Sequence, residues 1–198
     1  MNNKHDKGKV ISKGMSLFWV NGYHNLGVDK ICKETGMTKG AFYNSFKGKE
    51  NFLLVVIEAY GNLISSHLQK QLSDLSRPPI DRLHNLYNDM LLVQPESEYR
   101  GCLVNNMMSE LGALNPVVAE VASAQFEKFV NIIEPTVLQA QQDGELDNSL
   151  NSKLMTEIIH TTFFGILTRT KSTKTLHLNI ITDLLNLLKN KNNGRKKN

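Results

Sequence analysis

Two cysteines and six histidines are the side chains of this 198-residue sequence best equipped for nucleophilic, redox or metal chemistry. Their spacing argues against all three. Cys32 and Cys102 lie 70 positions apart, which makes neither a metal-ligand cluster nor a disulfide framework, and a reducing compartment keeps both as thiols. The histidines show no close ligand pairing, and His160, among Thr161, Thr162 and Phe163, fits a hydrogen-bonded core residue. There is no Gly-rich phosphate loop and no nucleophile motif. The reading predicts no catalytic residue, no metal ion and no cofactor. The chemistry that remains is that of charge, because lysine and arginine neutralise phosphates wherever a polyanion comes close.

That charge is unevenly placed. Residues 1–50 carry nine lysines against four acids, +5; residues 51–188 carry nine basic groups against fifteen acids, −6; residues 189–198 carry five basic groups and no acid, +5. A basic end ahead of an acidic body fits a polyanion partner for that end, and fits equally a lysine-rich surface chosen for solubility. Composition narrows the class: 40% hydrophobic, 21% charged and 7% aromatic residues describe a compact globular chain, and no apolar run approaches the roughly 18 residues a membrane helix needs. The N-terminus has the positive charge of a signal peptide but no long apolar segment before Asn21, so the expectation is a cytoplasmic protein with no membrane partner.

The elements that must position these charges are helical. Spacings of three and four recur, alternating strand patterns are absent, and the fold class predicted is all-α. Helices are expected over about 7–21, 28–35 and 39–46, with Gly22 and Gly36 closing the first two and Thr38 capping the third. A long fourth helix from Lys49 bridges to the rest; a fifth starts at Pro79, a sixth covers 102–111, and a seventh runs from Asn115-Pro116 to about Gln142, with Pro135 inside it. The last two are expected over 151–170 and 175–189, joined by Lys171-Ser172-Thr173-Lys174, and the Lys- and Asn-rich tail is read as disordered. Two short helices around a glycine turn, within a basic block, form the helix-turn-helix arrangement, although many αα-hairpins have that outline without touching DNA.

The residues themselves go further. Gly22-Tyr23, Val28, Ile31, Gly36-Met37-Thr38-Lys39-Gly40-Ala41-Phe42-Tyr43 and Phe46-Lys47-Gly48-Lys49-Glu50-Asn51-Phe52-Leu53 resemble the N-terminal signature of TetR-family transcriptional regulators, over about residues 8–55. The resemblance implies an N-terminal three-helix DNA-binding domain (1–50), a larger C-terminal helical domain for ligand binding and dimerisation (51–189), and here a basic tail (190–198). It also implies a repressor of a palindromic operator, relieved by a small-molecule inducer. On it, Thr38, Lys39, Gly40, Ala41, Tyr43 and Asn44 fall on or near the DNA-facing side of the third helix. Gly40 and Ala41 let backbone approach closely, Tyr43 donates to a phosphate, and Asn44 reads an adenine edge or a phosphate. Lys49 brings an ammonium to a phosphate at a helix start. Val28, Ile31, Met37, Phe42 and Phe46 are the core beneath. Leu26 and Gly27 depart from the family's hydroxyl residues, removing a capping group ahead of the second helix.

Two stripes on the last helices, Met155, Ile158, Ile159, Thr162, Phe163 and Ile166, and Ile181, Leu184, Leu185 and Leu188, suit a four-helix bundle with a second copy. A homodimer interface is expected there from Met155, Ile158, Ile159, Thr162, Ile166 and the second stripe; the alternative is that the stripes close the chain's own core. Met90, Cys102, Met107, Met108, Phe126, Phe129, Phe163 and Phe164 are the candidates for an adaptable apolar ligand pocket. Gly101-Cys102-Leu103 resembles a helix start in a subset of the family, which makes a cysteine-based electrophile or redox response through Cys102 one alternative, motivated by a helix N-terminus that lowers a thiol pKa. The other alternative is a non-specific nucleic-acid-binding module.

Overall fold

The computed structural model describes residues 6–190. Among them nine helices follow in order: α1 (Lys7–Asn21), α2 (Val28–Thr35), α3 (Lys39–Phe46), α4 (Lys49–Leu72), α5 (Pro79–Leu92), α6 (Leu103–Leu111), α7 (Pro116–Gln142), α8 (Ser152–Thr173) and α9 (Leu178–Leu187). The one β feature among the described residues is an isolated antiparallel bridge between Leu146 and Lys189. The all-α expectation holds. The tail expected to be disordered lies outside the described residues from 191 onward.

The chain divides into two compact units. One holds the chain up to Leu63 together with Cys102–Phe126; the other holds Ile64–Gly101 together with the chain from Glu127.

In the first unit the helix ends follow local chemistry. Asp6 caps α1 by accepting from the Gly8 and Lys9 amides, Thr38 caps α3 by accepting from the Ala41 amide at 3.2 Å, and Gly27 stands ahead of α2 with no side chain to do the same. Gly36 closes α2 in the left-handed region, φ 72°, where a Cβ is strained. Packing then joins α1 to α2 and to α6. The core is aromatic: Phe52 of α4 lies 4.5 Å from Phe46, 5.4 Å from Phe42 and 5.9 Å from Phe18, centroid to centroid. Gly14 lets it in, since a Cβ there would stand 2.5 Å from the tip of the Phe52 ring. Leu26, which stands ahead of α2, is fully buried.

In the second unit α9 packs against both α5 and α8. That packing corrects part of the interface expectation. Met155, Ile159, Ile166, Ile181 and Leu185 are at most 3% exposed within the single chain, so they form its own core and not a surface for a second copy. Ile158, Thr162, Leu184 and Leu188 stay partly open, beside Leu154 at 42% and Leu187 at 73% exposure. The helix ends also shift. Cys102 flanks α6 as its capping residue; α8 continues through Thr173, whose hydroxyl donates to the Arg169 carbonyl, and stops at Lys174 in the left-handed region; α9 starts only at Leu178 because His177 is non-helical. Within α7, Pro135 has no amide to give the Asn131 carbonyl, so one rung of that helix is forfeited.

Candidate DNA-binding surface

α3 is eight residues long and has two unlike sides. Phe42 and Phe46 are buried, 0% and 5% exposed, and anchor the helix to the aromatic core. Thr38, Lys39, Gly40, Tyr43 and Asn44 are exposed and Ala41 partly so. The six candidate positions therefore share one helix and its cap, facing away from the core. The Tyr43 ring leans edge-on against Phe42 at 5.7 Å, which fixes its direction and leaves it 48% exposed. At Gly40 a Cβ would meet nothing within 4 Å, so the chain itself does not require the glycine; open space there is what close backbone approach to a large ligand needs.

Lys39 sits 2.7 Å from an Asp29 carboxylate oxygen, and that hydrogen bond and charge raise its pKa. Both side chains are solvated, so a phosphate can compete for the ammonium at little cost. Lys49 is held differently. Its Nζ donates to the Tyr23 carbonyl at 3.0 Å and stands 3.9 Å above the Tyr23 ring, so its ammonium anchors the start of α4 to the loop after α1. The same loop is gripped from α6, where Glu110 accepts from the Tyr23 amide at 2.9 Å and the His24 amide at 3.0 Å. Asn115 donates to Glu50 at 2.6 Å. The contacts of Glu110 with the first loop and of Asn115 with Glu50 leave no local signal in the sequence, whereas the unpredicted cap at Asp6 has one, an aspartate directly ahead of a helix.

Residues 10–56 match the family described as bacterial regulatory proteins, tetR family, and residues 79–177 match the Tetracyclin repressor-like C-terminal domain. The transcriptional regulator AcuR of Cereibacter sphaeroides is 30% identical over 164 residues, covering 82% of this chain and 74% of that protein. This chain belongs to the TetR family. The HTH-type transcriptional repressor DhaR of Mycobacterium sp. strain GP1 is 27% identical over 162 residues, covering 82% of this chain and 80% of its own. A regulatory protein TetR from Rhodobacter sphaeroides superposes with a TM-score of 0.84 at 26% identity, over 92% of this chain and 98% of that one. The function class follows: a DNA-binding transcriptional regulator of the repressor type, with the helix-turn-helix at α2 and α3.

As a TetR-family chain it should carry its ligand chemistry in the C-terminal half, and the eight pocket candidates divide between the units. Cys102 and Met107, buried, and Met108 and Phe126, partly exposed, belong to the first; Met90, partly exposed, and Phe129, Phe163 and Phe164, buried, belong to the second. The structure brings the last three together around His160, whose ring lies 4.9 Å from Phe164, 5.8 Å from Phe163 and 6.0 Å from Phe129. Tyr87 completes the group, its hydroxyl 3.4 Å from His160 Nδ1. Burial pushes the His160 pKa down to about 3 and that of Tyr87 well up, so both are neutral at any ordinary pH.

For Cys102 the structure reverses the expected shift. The thiol is buried beside the Tyr60 hydroxyl, and desolvation raises its pKa more than the Asn105 and Val104 amides and Tyr60 lower it. A protonated, enclosed thiol is a poor nucleophile, and the geometry gives the cysteine-sensing reading no support. Cys32 is likewise buried, its pKa raised by burial and then by Asp29. No described helix is long and apolar enough to cross a membrane, and the described residues contain no group of three His, Cys, Asp or Glu side chains that could hold a metal ion.

Proposed function

We propose that two copies of this chain grip a palindromic operator through α3 and that a small molecule taken up by the C-terminal helices releases it. The observation that carries the reading is the two-sided α3, with Thr38, Lys39, Gly40, Ala41, Tyr43 and Asn44 turned outward from a rigid aromatic base inside the region that matches the family. Residues 1–50 are the reading head, held in one compact unit with 51–63 and 102–126, and sensing and pairing fall to 51–189. Lys49 serves first as a brace for Tyr23, with its remaining N–H bonds open to a phosphate. The partly open Ile158, Thr162, Leu184 and Leu188, with Leu154 and Leu187, are the apolar surface on which a second copy packs. A twofold pair presents its two recognition helices about 34–36 Å apart, or a multiple of that, and so demands a symmetric site. A regulator acting on chromosomal DNA works in the cytoplasm.

Titration of the full chain against operator-length DNA tests this. A palindrome from upstream of the neighbouring gene should bind far more tightly than random DNA of the same length. Tyr43→Phe should weaken all sequences alike, whereas Asn44→Ala should cost about 1–3 kcal/mol on the preferred site and relax its sequence preference. Equal affinity for palindrome and random DNA would overturn operator recognition in favour of a non-specific module.

A further inference from the structure

The second unit encloses a positive charge with no negative one to meet it. Arg82 is 4% exposed; its Nη1 donates to the Leu72 carbonyl at 2.8 Å, its Nη2 donates to the Gln139 side-chain oxygen at 2.6 Å, and its buried Nε has no hydrogen-bond partner. Both acceptors are neutral. Among the described residues no carboxylate stands within ion-pair distance of the guanidinium. Asp74 and Asp89 line a separate cleft on another side of Arg82 without forming an ion pair with it, and Asp74 is taken by the Ser76 hydroxyl and Arg77. A guanidinium cannot escape by losing its proton, so burial leaves a charge that two neutral acceptors compensate only in part and that an anion would match.

Arg82 also borders a cleft of about 300 Å³ between the end of α4, the start of α5 and the middle of α7. The cleft's other surfaces include Leu72, Ile132 and Pro135, with Leu75 on the rim. Nε–H and one Nη2–H point the same way from a guanidinium and form the edge that takes both oxygens of a carboxylate. Here that edge is held at Nη2 only by the partly exposed Gln139 amide, which can turn outward, and at Nε by nothing.

We propose that this cleft is a binding site for an organic monocarboxylate, whose two oxygens take Arg82 Nε and Nη2 in place of the Gln139 oxygen and whose apolar stem lies along Leu72, Ile132 and Pro135. One buried cation matches one negative charge, and the apolar wall suits a hydrocarbon stem better than a free inorganic anion. Carboxylate binding in this cleft does not require operator release, and its test contains no DNA.

Calorimetry on the full-length protein decides it, with sodium hexanoate, the neutral hexanamide and sodium sulfate as probes. Hexanoate should bind at one per chain, at least about tenfold more tightly than hexanamide or sulfate, the loss expected when a charge-assisted pair is replaced by a neutral or stemless one. Gln139→Glu, which tethers a carboxylate beside Arg82, should abolish hexanoate binding while the protein stays folded and melts no lower. Arg82→Met should abolish it as well, and Gln139→Glu keeps the question answerable if that variant does not fold. Equal binding of hexanoate and hexanamide, tighter binding of sulfate, unchanged binding by Gln139→Glu, or no heat from hexanoate at millimolar concentration would each overturn the site.

Discussion

In the first unit Phe18, Phe42, Phe46 and Phe52 meet ring to ring, neighbouring centroids 4.5 to 5.9 Å apart, with no heteroatom among them; in the second, Tyr87, Phe129, Phe163 and Phe164 gather around His160. Both clusters bury large aromatic surface, which stabilises each in proportion to area. They differ in what they ask of the solvent. The phenylalanine cluster has no charge state to change, so its geometry is indifferent to pH, as suits a base that must hold α3 in one orientation. The histidine cluster keeps a titratable ring out of water, and its stability is tied to that ring remaining neutral.

That difference can be pushed hardest with acid. His160 has a folded pKa of about 3 against an ordinary 6.5, so below pH 6.5 the unfolded chain binds the extra proton and folding stability falls as pH falls. The slope reaches about 1.4 kcal/mol per pH unit, or roughly 3 kcal/mol between pH 6.5 and 4, before carboxylates contribute. Denaturant titrations over that range should show His160→Leu losing this part of the slope whatever its stability at pH 7, and parallel profiles would break the contrast. The head should respond to bulk instead. Ala normally stabilises a helix over Gly, yet Gly14→Ala puts a methyl group against Phe52 and should lower stability by about 1–3 kcal/mol, measured as a drop in denaturation midpoint. A rise would show the phenylalanine cluster to be softer than its close contacts suggest. The smallest effect is expected at the α3 cap: Thr38→Ala, which removes the acceptor for the Ala41 amide, should cost about 1 kcal/mol by thermal melting.

How much of this was legible in the sequence follows the range of the forces involved. The ends of α1, α2 and α3, the cap at Thr38 and the buried side of α3 were readable because periodicity, glycine turns and capping act within a few residues. The stripes on α8 and α9 were visible for the same reason, but a stripe does not say what it faces, and Met155, Ile159, Ile166, Ile181 and Leu185 turned toward the chain's own core. Gly14 showed no signal, because its need arises only when a ring from α4 arrives. Arg82 looked like one more charged residue near a helix start; only the carbonyl of Leu72 and the amide of Gln139, from two other elements, reveal its isolation.

The grip of Glu110 on the Tyr23 and His24 amides spans 87 and 86 residues of chain, and it has a consequence for how the molecule is made. A ribosome adds α6 only after the helix-turn-helix has been made, so until then the Tyr23 and His24 amides have water in place of Glu110 as their acceptor. The compact unit that holds the helix-turn-helix is complete only once the segment ending at Phe126 has emerged, so a shortened gene product stopping at Leu63 would present the recognition helix without part of its mount.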